Sequence, residues 1–536
     1  MCTGARTARS VPVATGKNSL RTASRPLTRP LVRSKLAMLV YTIRRVALAE
    51  TTVTRDALAV LQPGFTGTTA PDWLLRRLDE GLAAVGLFAR NIAGPRQLAD
   101  LTAELRKVRP DVVIAVDEEG GDVTRLEARR GSSFPGSLAL GGVDDTGLTH
   151  SVAAELGRRL AECGVTLDWA PSADVNTDPD NPVIGVRSFG ADPALVARHT
   201  AAYVTGLQSA GVAACAKHFP GHGDTSVDSH ESLPRIDVPY ETLAARDLPP
   251  FRAAISAGVR AIMTAHILTP ALDPTRPATL SRRTLDLLRH DLGYDGLIIT
   301  DGMEMRAVAD TYGVERGAVL AIDAGADAIC VGGGLSDGET VIRLRDALVA
   351  AVHAGDLAEE RLAEAAGRVR ALAEWTTTAT RAHSAANPGI GLEAARRALR
   401  VTCPENLPLA APPYVAAFTP LANMAVGDET PWGLAPALAE LLPSTETGTF
   451  TGPEAGHEAL SAAAGRRIVA VVRDEHRHPW MSTALTTLLD ARPDTVVVEM
   501  GVPHAAPRGA AHIATYGAAR VCGWAAAEVI AGVRGA

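Results

Sequence analysis

The stretch VAACAKHFPGHGDTSVDSH, residues 212–230, joins an apolar run, Val212 to Ala216, to a loop carrying three histidines, two aspartates and a lysine. Pro220, Gly221 and Gly223 bar a helix there. A short, fully apolar run reads as a parallel strand buried on both faces. A rigid strand that ends in titratable groups is a scaffold for acid/base chemistry. The pattern recurs. Apolar runs alternate with amphipathic stretches of helical length at Leu58 to Leu61, Val85 to Ala89, Val112 to Val116, Val165 to Trp169, Val212 to Ala216, Val259 to Thr264, Leu297 to Thr300 and Ala328 to Val331. Eight such units predict an α/β fold, a (β/α)8 TIM-type barrel over residues 50–375.

Active sites of such barrels lie at the C-terminal strand ends, so the residues that close each run matter most. Run three closes in Asp117, run four contains Asp168, run five leads to Lys217 and His218, run six to His266 and run seven to Asp301. Any one of them is explained by a hydrogen-bonded strand end. The whole set, at one end of the fold, is not.

A net charge of −7, with 46% hydrophobic and 21% charged residues, gives no reason to expect nucleic acid or an anionic membrane as partner. A small or neutral polymeric substrate fits better. The six cysteines show no CxxC spacing, which indicates neither a zinc site nor a disulfide framework and favours a reducing, cytoplasmic compartment. Residues 1–49 hold ten Lys or Arg and no Asp or Glu, and read as a basic, disordered leader, or as sequence upstream of a true start at Met38. Their one apolar run, Ala37 to Ile43, is too short to cross a bilayer. Residues 376–388, rich in Thr, Ala and Ser, read as a linker. Beyond it, residues 389–536 are expected to form a smaller, sandwich-like open α/β sheet, with strands near Tyr414 to Phe418, Ile468 to Val472, Thr495 to Glu499 and His512 to Thr515. His476, His478 and Trp480 in that domain read as a solvated loop.

His218 and His222 stand four apart, as a helical zinc pair does, but Pro220 and Gly221 prevent the helix and no metal is expected. Asp228 and His230, two apart, share one side of an extended segment. There the carboxylate can hold the imidazole, fix its tautomer and favour the protonated form that a general acid needs. A purely structural Asp–His contact gives the same pattern. In LIITDGMEM, residues 297–305, Asp301 ends an apolar strand. A carboxylate at a barrel mouth is a nucleophile toward a sugar carbon, provided that another group, such as His230, protonates the leaving oxygen. Glu304 is a rival carboxylate.

Together with DEEGGDVTR (117–125), GVRSFG (185–190) and ITDGMEM (299–305), the motif KHFPGHGDTSVDSH resembles glycoside hydrolase family 3, and within it the β-N-acetylglucosaminidases of the peptidoglycan-recycling type. The resemblance covers Leu58 to Glu374. It implies an exo-acting, retaining β-N-acetylhexosaminidase that releases non-reducing terminal β-linked GlcNAc from muropeptides or chitin-type oligosaccharides through a covalent glycosyl-Asp intermediate. By the same matching, Asp301 is the nucleophile and His230, supported by Asp228, is the acid and then the base. Asp117, Arg125, Arg187, Lys217 and His218 hold the hydroxyls and the N-acetyl group, with no cofactor and no metal. The basic leader and the second domain depart from the shortest members of this group. One alternative keeps the site and exchanges water for phosphate, because a histidine places no negative charge beside the acceptor, which makes the enzyme a β-N-acetylglucosaminide phosphorylase. A non-catalytic sugar-binding barrel is another, opposed by the presence of Asp301, Asp228 and His230 together.

Overall fold

A computed structural model describes residues 51–227, 233–379, 386–419 and 430–533 of the chain. Eight parallel strands follow one another in sequence order: β1 (Leu61–Pro63), β2 (Ala84–Leu87), β3 (Val113–Val116), β4 (Leu167–Asp168), β5 (Ala213–Phe219), β6 (Ala261–Thr264), β7 (Leu297–Thr300) and β8 (Ile329–Val331). β2 to β7 form a continuous parallel ladder. β8 pairs with β1, and the bridge Ile299↔Ala328 ties β8 to β7. Among the described residues no ladder joins β1 to β2. The parallel strands form a curled half-barrel. Where both faces are covered a strand can be apolar throughout, as β3 is, every residue of which is at most 1% exposed.

Helices alternate with these strands, among them Pro95–Val108, Thr146–Glu162, Pro193–Ser209 and Gly338–Ala354. Their starts are written in the sequence. The carboxylates of Asp145, Asp192 and Asp337 accept from Leu148 N, Leu195 N and Thr340 N, and Pro193 takes a first-turn position where its missing N–H costs nothing.

Two expectations about the strands need correction. Residues 51–59 are helical, so the run Leu58 to Leu61 is mostly a helix end and the strand lies just after it, at Leu61–Pro63. A four-residue apolar run is buried equally well in either state, and periodicity cannot separate them. β5 also runs further than Ala216. It takes Lys217 and His218 into the strand, with a register shift against β6 between Ala216 and Phe219, and the Lys217–His218 peptide is cis. A bulge of this kind re-aims side chains near a strand end.

The helix Glu359–Thr378 reaches three residues into the segment expected as a linker, of which 380–385 lie outside the described residues, as do residues 1–50 of the basic segment. A second sheet follows in the order β11-β10-β12-β13-β14-β9: β9 (Arg400–Thr402), β10 (Tyr414–Phe418), β11 (Glu446–Phe450), β12 (Ile468–Val472), β13 (Val496–Glu499) and β14 (Ala511–Ala514). Only β9 is antiparallel. Along β12 the side chains alternate between two cores. Val469 and Val471 pack on one side, and Ile468, Ala470 and Val472 on the other. Helices cover both faces.

Candidate active site

Asp117 follows β3 directly, Lys217 and His218 lie in the last three residues of β5, and Asp301 follows β7, so the parallel sheet carries all four to one end. The loop after β3, residues 117–125, folds back on itself. Glu119 N donates to Val123 O at 3.1 Å, and the Glu118 carboxylate accepts from Arg125 N (2.7 Å) and Leu126 N (2.8 Å). Gly121 has φ +64°, and a Cβ there would lie 2.4 Å from the Gly136 Cα, so only glycine fits.

Folding of that loop assembles an alternating chain of charges. Arg125 Nη2 meets Asp117 Oδ2 at 3.1 Å, and Lys217 Nζ binds the other oxygen of Asp117. Lys217 also lies 2.6 Å from Glu119 Oε1. Arg187 grips Glu119 with two nitrogens, Nη2 at 2.7 Å and Nε at 3.0 Å, and donates to Val183 O. Burial pushes the Glu119 carboxyl up, but Arg187 and Lys217 override it and hold the group well below the usual carboxylate range. Burial likewise works against the Lys217 ammonium, and Asp117 and Glu119 overcome it. Glu119 and Lys217 are therefore held in their charged forms. Removing one member of such a buried set leaves its neighbour uncompensated, at a cost of about 3–5 kcal/mol. Asp117 is the most open carboxylate in it, at 19% side-chain exposure against 4% for Glu119.

A second cluster sits on Asp174. Its Oδ2 is 2.7 Å from His218 Nδ1 and accepts from Ser172 Oγ, and its Oδ1 accepts from the backbone N–H of His218 and of His222. The imidazole must donate from Nδ1 to reach a carboxylate, which leaves Nε2 facing Arg187 Nη2 at 3.5 Å. The loop that follows is closed by Gly223, whose Cβ would lie 1.9 Å from Val175 O; this is the physical reason for the last glycine of KHFPGHG. Asn181 Nδ2 donates to His222 O at 2.9 Å and completes the join between the loops after β4 and β5.

His222 is 2% exposed, and neither ring nitrogen has a hydrogen-bond partner among the described residues. Burial, reinforced by His218, pushes its pKa down to about 4 from 6.5. The unfolded chain takes this proton more readily than the folded one. Stability from this group is therefore full above about pH 6.5 and is lost as pH falls toward 4. His222→Asn is expected to flatten the fall of melting temperature across that interval; an unchanged slope would assign the acid sensitivity elsewhere.

Asp301 Oδ1 accepts from Gly302 N at 2.8 Å, and its own backbone N–H reaches Thr264 O at 3.3 Å. His266, fully buried, fixes this turn by donating from Nε2 to Gly302 O at 2.9 Å, while Nδ1 meets Thr279 Oγ1. The rival carboxylate is engaged elsewhere: Glu304 Oε1 takes the backbone N–H groups of Gly332, Gly333 and Gly334. Asp168 lies at the centre of this end of the sheet, with one oxygen on Glu118 N and the other without a hydrogen-bond partner among the described residues. Burial, with Glu118 and Asp117 nearby, pushes its pKa well above the ordinary carboxylate value.

Asp117, Arg125, Arg187, Lys217 and His218 are thus brought into one continuous set. Asp228 and His230 lie outside the described residues. Glu119 and Asp174 were missed by sequence reasoning. For Glu119 a signal existed, since it stands two residues from Asp117 and so on the same side of an extended turn. For Asp174 there was none, because its partner His218 is forty-four positions away. Among the described residues no group of three or more His, Cys, Asp or Glu is arranged to hold a metal ion, and no helix is long and apolar enough to cross a membrane.

Residues 69–372 match the Glycosyl hydrolase family 3 N terminal domain. Beta-hexosaminidase A of Pseudoalteromonas piscicida is 34% identical over 64% of this chain and 60% of its own length, so the chain spans less than two thirds of that relative. Beta-hexosaminidase LpqI of Mycobacterium tuberculosis is 38% identical over 40% of this chain and 57% of its own. A solved glycoside hydrolase family 3 beta-N-acetylglucosaminidase from Paenibacillus sp. superposes with a TM-score of 0.80 at 33% identity, covering 90% of this chain and 97% of that one. The match over residues 69–372, more than half of the chain, makes this protein a member of glycoside hydrolase family 3.

Proposed function

We propose that the protein is an exo-acting, retaining β-N-acetylhexosaminidase that removes terminal β-linked GlcNAc from muropeptides or chitin-type oligosaccharides. The observation that carries this reading is the charge chain around Asp117. A carboxylate held between Arg125 and Lys217 can accept from two sugar hydroxyls, while the cations beside it donate to others. The relatives named beta-hexosaminidase and beta-N-acetylglucosaminidase support the choice of sugar.

In this reading Asp301 attacks the anomeric carbon and forms an ester to it. The glycosidic C–O bond breaks, and its electron pair goes to the leaving oxygen, which takes a proton from His230. His230 then removes a proton from water, the resulting hydroxide attacks the same carbon, and the Asp301 carboxylate departs with the bonding pair. Asp228 orients the imidazole. The chain's own side chains supply every proton transfer.

The test compares 4-nitrophenyl glycosides of GlcNAc, glucose and xylose. Turnover of the GlcNAc compound is expected to exceed the others by orders of magnitude, since a site built to bond a polar substituent rejects an analogue that lacks it by roughly 10⁴-fold. Preference for glucose would overturn the assignment. The same assay in phosphate buffer should yield free GlcNAc, and accumulation of GlcNAc-1-phosphate would make the enzyme a phosphorylase.

A further inference from the structure

The second sheet meets the barrel at the ends of β12 and β14. Arg473, the residue after β12, places Nη2 2.6 Å from Asp122 Oδ2, and Ala518, four residues past β14, donates its backbone N–H to Asp122 Oδ1 at 2.7 Å. The Asp122 side chain is 2% exposed, so both oxygens are committed to the second domain. Three residues on from Arg473, His476 donates from Nε2 to Pro179 O at 2.8 Å and packs its ring 5.1 Å from that of His504. The histidine expected in a solvated loop is therefore part of the contact.

Asp122 and Pro179 belong to the two barrel loops whose far ends meet in the Glu119–Arg187 pair. Asp122 lies three residues from Glu119, and Pro179 eight residues from Arg187. Each loop is thus gripped on one side by a four-residue stretch of the second domain and on the other by its partner. Where the 179–187 loop faces the second domain, a small cleft lined by Val183, Arg187, Arg473, Asp474, Arg477 and Val502 has a volume of about 20 Å³, room for roughly one water. The Arg473 guanidinium also lies 5.8 Å from the Trp432 ring centre.

We propose that the stretch from Arg473 to His476, acting through Asp122 and Pro179, sets the separation of the two sugar-binding loops and so the aim of Asp117 and Lys217 at the substrate. This rests on the reading of the charge chain as the sugar-binding set. Asp122 and Arg473 are then positioning residues, and the second domain is a component of the glycosidase site. The physical basis is ordinary. A charged pair excluded from water fixes distance and register, and a displacement of the order of 1 Å in residues that position a substrate costs about 10²-fold in the worst case.

The full-length protein tests this with nitrophenyl-GlcNAc. Arg473→Met is expected to raise KM about tenfold with kcat changed less than about twofold, the size of coupling seen between contacting residues. Arg473→Lys should recover most of that loss. Asp122→Asn, which keeps an acceptor for Ala518 N, should behave as Arg473→Met does, and the double variant should be no worse than either single one. Lys217→Ala is the reference. If it leaves KM unaltered, the sugar-binding reading fails and the positioning claim falls with it. If Lys217→Ala raises KM while Arg473→Met and Asp122→Asn do not, or lower kcat alone in proportion to folded protein, the second domain has no positioning role and the glycosidase reading stands.

Discussion

Asp301→Ala is expected to abolish turnover of every substrate, nitrophenyl glycoside and disaccharide alike, by on the order of 10⁴- to 10⁶-fold. On the proposed double displacement the loss is independent of the leaving group, because the alanine enzyme would lack the carboxylate that forms the covalent ester on both paths. Two described carboxylates that could otherwise replace it are held elsewhere. Glu304 is three residues on but is bound to the amides of Gly332 and Gly334, and Asp168 is fully buried with one oxygen on Glu118 N. The fold should survive, since β7 ends at Thr300 and the β6–β7 ladder stops before Asp301. Initial rates with a melting curve alongside make the check. A folded variant that keeps activity within about tenfold of the parent would remove Asp301 from the nucleophile's role.

His230→Ala should separate the two leaving groups that Asp301→Ala does not. General-acid assistance is worth roughly 10²- to 10⁴-fold when the departing oxygen belongs to another sugar, and far less when it is a nitrophenolate that leaves unaided. Cleavage of GlcNAc disaccharides should therefore fall by about that factor, while formation of the glycosyl-enzyme from the nitrophenyl substrate is nearly spared. The second step then lacks its base, the intermediate accumulates, and a burst of nitrophenol precedes a slow steady state. Azide, which needs no base, should restore turnover and give the β-glycosyl azide. Asp228→Ala should show a weaker form of the same pattern. Equal losses on both substrates, with no burst and no azide effect, would assign acid/base duty elsewhere.

What could be read from the chain follows from how burial is encoded. Strands such as β3 and β7, covered on both faces, leave unbroken apolar runs, and a curled parallel sheet with polar groups at one end was legible from them. Where burial is partial the record thins. Strands β9 and β11 lie at the edges of the second sheet, half-buried to exposed, and β11 reads Glu-Thr-Gly-Thr-Phe. Neither strand offers an apolar run, so neither was anticipated. Side chains that a motif brings close in sequence, such as Lys217 and His218, were found. Those that meet only through the fold were not: Asp174 beneath His218, and Arg473 reaching Asp122 across 351 positions. The asymmetry is physical. A hydrogen bond or ion pair constrains two residue types at a distance that sequence spacing does not express, whereas strand burial constrains several adjacent ones at once.

The central claim is a double displacement through Asp301. Its most direct test is to mix His230→Ala enzyme with nitrophenyl-GlcNAc, quench in acid during the burst, digest, and locate the sugar by tandem mass spectrometry. The account predicts one N-acetylhexosamine on the peptide that contains Asp301, with fragments placing it on that carboxyl. A sugar found on Glu304 or any other residue, or a burst with no covalent sugar at all, would contradict it.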